Sequence, residues 1–78
     1  MTKDVTVAIT DKGAIYIDDT RITNRNTKWG VHNSLDNFSC PQHEVVAQCV
    51  ERGWGGHVRN IDTVPYTDQI HAMKETRG

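Results

Sequence analysis

The sequence predicts an α+β domain: a small antiparallel sheet of three to four strands packed against one main helix and a short C-terminal helix. Three observations predict it. Val5-Thr6-Val7-Ala8-Ile9-Thr10 and Ala14-Ile15-Tyr16-Ile17-Asp18 alternate large apolar with small or polar residues on either side of Asp11-Lys12-Gly13, the period and turn chemistry of a β-hairpin. Val45, Val46, Cys49 and Val50 recur at spacings of three and four before Gly53, the stripe and stop signal of an amphipathic helix. Tyr66, Ile70 and Met73 repeat that spacing after Pro65.

The elements follow in the order β-β-(β)-α-β-α. The hairpin buries Val5, Val7, Ile9, Ile15 and Ile17 on one face, and a sheet with one apolar face needs helices to cover it. Asp18-Asp19 forms a second turn, and Thr20-Arg21-Ile22-Thr23 continues as a short strand. Asn24 to Thr27 is a polar loop, after which Lys28-Trp29-Gly30-Val31-His32 is expected as a third strand, weakened by its glycine. The main helix is expected to start at Ser39-Cys40-Pro41-Gln42, with Ser39 or Cys40 as N-cap and Pro41 in the first turn, and to run to Arg52. His57 to Val64 is expected as a strand, although Val58 and Ile61 are out of phase for one. Tyr66 to Thr76 closes the chain as a helix.

Seventy-eight residues, 36% of them hydrophobic, make one domain with a thin core. A domain of that size gains stability from partners or self-association, and a homodimer formed through the sheet edge is compatible with the pattern. The formal charge of −1 gives no strong field toward nucleic acid or anionic membrane. No run approaches the roughly eighteen apolar residues of a membrane span, and Met1-Thr2-Lys3-Asp4 lacks the apolar stretch of a signal peptide. A cytoplasmic location is expected, with Cys40 and Cys49 as free thiols.

Four groups of residues carry possible chemistry. Cys40, His43, Cys49 and His57 supply four soft ligands for a tetrahedral zinc, but the spacing matches no common finger or ribbon, and Cys49 belongs to the buried helix stripe. Cys40 at a helix start has the setting of an activated thiol, with His43, His57 or His71 as base and Asp36 or Asp62 to orient it; helix capping explains the same residues. No cofactor and no enzymatic activity are expected. Arg21, Arg25, Lys28 and Trp29 interleave cations with an aromatic and define an alternative nucleic-acid surface. Protection of a sheet edge against pairing accounts for those cations equally well.

The fourth group is the pair of glycine-flanked tryptophans. Trp54, with Arg52, His57 and Arg59 nearby, and Trp29 with Arg25, have the residue types that dominate protein-interface hot spots; folding back of Trp54 over the helix end is the structural alternative. Lys12-Gly13-Ala14-Ile15-Tyr16-Ile17-Asp18 and Val64-Pro65-Tyr66 resemble pieces of the periplasmic domain of the TonB-type proton-motive biopolymer transport proteins. That resemblance implies a hairpin, helix, strand, helix order and carries no function.

The expected function is non-catalytic binding to a host protein or protein complex. In size and style the chain resembles the small phage or mobile-element inhibitors, anti-CRISPR proteins included, that act by occlusion. A small nucleic-acid-binding regulator is the alternative. The preferred form anchors on Trp54, Arg52 and Arg59 and predicts that Trp54→Ala keeps the fold and abolishes association.

Overall fold

A computed structural model describes residues 3–24 and 26–77, with side chains through 72. Strand β1 (Asp4–Thr10) turns through Asp11-Lys12-Gly13 into β2 (Ile15–Ile17), and Asp18-Asp19 leads into β3 (Thr20–Arg21). Both aspartates have positive φ, 49° and 67°, the conformation a two-residue hairpin turn of the twist-matched kind demands. Strand β4 (Ser34–Pro41) then pairs antiparallel with β1, giving the order β3-β2-β1-β4. A 3₁₀ turn (Gln42–Glu44) leads into α1 (Val45–Glu51), followed by the single turn α2 (Gly55–Val58) and by α3 (Tyr66–Arg77).

The α+β class and the antiparallel sheet are as the sequence predicts; the location of the fourth strand is not. It comes before the main helix, not after it. Residues 34–40 offered a poor signal because Leu35 points out, at 52% exposure, while Asp36 stands in the inward phase with Phe38 and Cys40. Pro41, with φ −58° and ψ 146°, is extended and ends the strand. Its fixed φ suits a strand end as well as a first helical turn, so the expected cap at Ser39 or Cys40 is a strand segment, and the helical chain starts at Gln42.

The expected strand at 28–32 is loop, broken where Gly30 adopts φ 120°. The expected strand at 57–64 is a chain of turns. His57 and Val58 N–H both reach Trp54 O, Asn60 N–H reaches His57 O, and Ile61 N–H reaches Val58 O. Val58 and Ile61, out of phase as strand residues, are in phase at a helical i, i+3, and both are buried. Only Ile61 keeps a sheet-like contact among these residues, an isolated bridge to Thr23.

The core sits between the sheet and the helices. Val7, Ile9, Ile15, Val45, Val46 and Cys49 are fully buried, and Phe38, Cys40, Val58, Ile61 and Tyr66 extend the cluster, with Val5, Val50, Trp54 and Ile70 packed against it. Met73 lies outside the described side chains. Helix α1 ends as the sequence predicts. Gly53, at φ 96°, donates to Val50 O at 3.0 Å, and Trp54 N–H donates to Cys49 O at 2.8 Å, the two bonds of a Schellman cap. Gln69 on α3 ties the helices together, its Oε1 accepting from Val46 N–H and its Nε2 donating to Gln42 O. No helix of the described residues is long and apolar enough to cross a membrane.

Candidate interaction surface on the open sheet face

The helices cover one face of the sheet and leave the other to solvent. Register places a cross-strand row on that open face: Arg21 beside Tyr16, Tyr16 beside Ala8, Ala8 beside Asn37. After β3 the chain is pinned to the far end of the fold, where Asn24 N–H donates to Asn60 O at 2.7 Å and Asp62 N–H to Ile22 O at 3.0 Å. It then returns through residues 26–33 as a loop held at three points.

Arg21 is the central clamp. Its Nε donates to Thr23 Oγ1 at 3.0 Å, and its Nη2 donates to Thr27 O at 2.6 Å and Asn24 O at 3.3 Å. The guanidinium carbon lies 3.4 Å from the Trp29 ring centroid, a close cation–π contact. The rigid fork of arginine makes this possible: one edge grips the loop backbone while the flat face covers an indole. Asn24 tightens the loop further, its Oδ1 accepting from Asn26 N–H at 3.0 Å.

His32 is the second anchor. Its ring meets Tyr16 edge-on at 5.9 Å, and its Nδ1 shares a 3.1 Å hydrogen bond with Thr10 Oγ1. At the third, Asp11 and Asn33 clasp one another. Asp11 N–H donates to Asn33 O, and the Asp11 carboxylate accepts from both the backbone and side-chain amides of Asn33. The Asn33 backbone N–H holds the Asp11 carboxyl below its ordinary value.

Three fixed points hold a loop whose apolar side chains stay in water. Trp29 is 68% exposed and Val31 is 85% exposed, and Leu35 follows at the start of β4. Single exposed apolar residues are ordinary; here three follow one another in sequence along one anchored stretch. Of the residues the sequence singles out here, Arg21 and Trp29 meet directly, Lys28 is exposed beside them, and Arg25 lies outside the described residues.

The other tryptophan has internal partners. The Trp54 indole N–H donates to Asp36 Oδ2 at 3.1 Å, and Arg52 Nη1 meets the same oxygen at 3.0 Å. Arg52 lies over the Phe38 ring, 4.3 Å from its centroid. His57 stands edge-on to Trp54 at 5.4 Å and donates from Nε2 to Thr10 O at 2.9 Å. The hydrogen bonds from Trp54 and Arg52 hold the Asp36 carboxyl below its ordinary range. Trp54, Arg52 and His57 thus join α1 and α2 to β1 and β4, while Arg59 is exposed beside them. Sequence proximity suggested this group; it could not show that Asp36, on β4, sits at its centre.

The cysteine and histidine residues do not converge. Cys40 and Cys49 are buried free thiols, with burial raising both and pushing Cys49 up to about 12. His43 is exposed beside Glu44, and His57 is engaged with Thr10. Among the described residues no three histidine, cysteine or acidic side chains come together as a metal site. Cys40, expected at a helix N-terminus, instead sits in β4 opposite Val5. Comparison with protein families, curated proteins and solved structures gives no match.

Proposed function

We propose that this protein is a non-catalytic binding module that docks another protein on the patch formed by Trp29, Val31 and Leu35. One observation carries the reading: the 26–33 loop is clamped to the sheet by Arg21, His32 and Asn33, yet it presents Trp29 and Val31 to solvent. Ordering a loop in advance removes part of the entropy cost of binding, and an anchored tryptophan beside an arginine is the chemistry of an interface hot spot. This moves the anchor from Trp54, Arg52 and Arg59 to the loop. In its sharpest form the module is a cytoplasmic inhibitor that occludes a host complex, as small phage and mobile-element proteins of the anti-CRISPR type do.

The nucleic-acid alternative draws on Arg21, Arg25, Lys28 and Trp29, but Arg21 donates to the loop's own carbonyls. The test is capture from host lysate with and without nuclease, comparing the wild type with Trp29→Ala and Val31→Ser. A stoichiometric protein that survives nuclease and is lost in both variants, with their circular dichroism unchanged, is the expected result. Retention by both variants overturns the assignment, and loss on nuclease treatment moves it to nucleic acid.

A further inference from the structure

The open face of the sheet is not bare along its whole length. Ala14 shares the outward phase of Tyr16, as Ile15 and Ile17 share the inward one, yet Ala14 is fully buried. Thr10 stands across from it on β1: Thr10 N–H donates to Ala14 O at 3.1 Å, and Ala14 N–H donates to Thr10 Oγ1 at 3.1 Å. Thr10, Thr23 and Thr27 are buried polar residues. The 26–33 loop therefore roofs this end of the face, and what lies beneath it is small and mostly hydroxylic.

The contacts around Ala14 close into a ring. Arg21 Nη2 donates to Thr27 O at 2.6 Å. Thr27 Cγ2 lies 3.9 Å from where a Cβ on Gly13 would stand, one residue before Ala14. Thr10 Oγ1 meets His32 Nδ1 at 3.1 Å, the His32 ring meets Tyr16 edge-on, and Tyr16 pairs with Arg21. Among the described residues, Arg21 Nη1, Thr27 Oγ1 and His32 Nε2 are buried without a hydrogen-bond partner. All three belong to this ring. Native folds rarely leave buried polar atoms unpaired, and such atoms point to a bound water or ion.

Charge decides between the two. Arg21 is permanently cationic, and among the described residues it forms no ion pair: its acceptors are Thr23 Oγ1, Asn24 O and Thr27 O. A water would occupy the free donors and leave the guanidinium without a counter-charge. The guanidinium only donates, and the hydroxyl and the imidazole nitrogen can each donate beside it. We propose that Arg21, Thr27 and His32, beneath the 26–33 loop, form a binding site for a tetrahedral oxyanion, a phosphate group either free or as a monoester. Such an anion offers an oxygen to each of the three donors, whereas a carboxylate has two, and the arginine fork suits phosphate geometry.

The three atoms are closed to solvent while the loop is down, so the anion enters as the loop lifts and fastens it once bound. Little apolar area opposes lifting. The roofed residues are Thr10, Ala14, Thr23 and Thr27, and Trp29 stays mostly in water. The site does not rest on the docking of a protein against Trp29 and Val31.

Calorimetric titration of the intact protein tests this, with inorganic phosphate and O-phosphoserine as probes and chloride at matched ionic strength as the control. Saturable binding of at least one phosphate, absent with chloride, is expected. Amide exchange locates it: the Asn26 and Thr27 amides are expected to slow on phosphate binding, with Val7 and Ile9 on β1 unchanged. Tighter binding of O-phosphoserine identifies the ligand as a monoester, and tighter binding of phosphate identifies it as the free ion. Thr27→Val and Arg21→Lys, with circular dichroism unchanged, are each expected to weaken binding about tenfold or more, the loss of one hydrogen bond to a charged group. No saturable binding, an equal response to chloride, or undiminished binding in both variants overturns the proposal. If the variants fail to fold, the wild-type titration and exchange pattern decide, and slowing spread evenly over β1 overturns it.

Discussion

Replacing Arg21 with alanine is expected to release the 26–33 loop while leaving the sheet folded. The side chain makes three hydrogen bonds and one cation–π contact, all to the loop or its start. A cation–π contact at a partly exposed site contributes about 0.5–1 kcal/mol, and each hydrogen bond about 1 kcal/mol net. The sum, about 4 kcal/mol, is an upper bound, because the freed carbonyls of Asn24 and Thr27 regain water. Halving it leaves about 2 kcal/mol, roughly a thirtyfold increase in the opening constant of the loop.

Local opening is read by amide hydrogen exchange. The Asn26 and Thr27 amides, which donate to Asn24 Oδ1 and Asn24 O, are expected to exchange about thirtyfold faster in Arg21→Ala, with Val7 and Ile9 on β1 nearly unchanged. In a Trp54→Phe background Trp29 is the remaining tryptophan, and its emission is expected to become more quenchable once its guanidinium cover is gone. Arg21→Lys keeps the charge but not the fork, so it falls between the two. A change below threefold at Asn26 and Thr27 would refute the assignment of Arg21 as the clamp. Uniform acceleration that included β1 would refute the local character of the effect.

Two further predictions concern the framework. Asp36 and Asp11 have folded pKa values below the ordinary 3.8, from Trp54 and Arg52 for the first and the Asn33 amide for the second; a lowered value contributes stability that is present above 3.8 and lost as pH falls through the folded value. Melting temperature is therefore expected to drop below pH 4, and the drop is expected to shrink in Asp36→Asn; an identical pH profile in that variant would exclude Asp36 as a contributor. Burial pushes the Cys49 thiol up to about 12, so in the native protein at pH 8 it is expected to resist alkylation and to react only in denaturant; rapid native labelling at Cys49 would show that α1 does not bury it.

The hairpin and the end of α1 were readable because their signals are local. Alternation over Val5–Thr10 and Ala14–Asp18, and a glycine placed for a left-handed cap, need no knowledge of the rest of the chain. Strand β4 was not readable in that way. Its inward phase holds Asp36, a residue that occupies such a place because Arg52 and Trp54, at the C-terminal end of α1, satisfy its carboxylate. The segment at 57–64 failed for the opposite reason. Its β-branched residues favour a strand, but a run of turns from Trp54 onward directs both Val58 and Ile61 into the core.

The two tryptophans show why the contact patch was harder still. In sequence they are near equivalents, each next to glycine and close to arginine. What separates them is which acceptor the neighbouring guanidinium finds, and whether the indole shares it. Around Trp54 the acceptor is a carboxylate: Asp36 takes the indole N–H and the Arg52 guanidinium together, and this draws the ring onto the core beneath α1. Around Trp29 the guanidinium's acceptors are loop carbonyls. Arg21 is held by the backbone at Asn24 and Thr27, and its flat face fixes the ring from one side while 68% of the residue stays exposed. The same pair of residue types therefore does two different things, closing the structure in one place and presenting an aromatic surface in the other. The difference is set by Asp36, a residue that lies beside neither arginine nor its tryptophan in the chain.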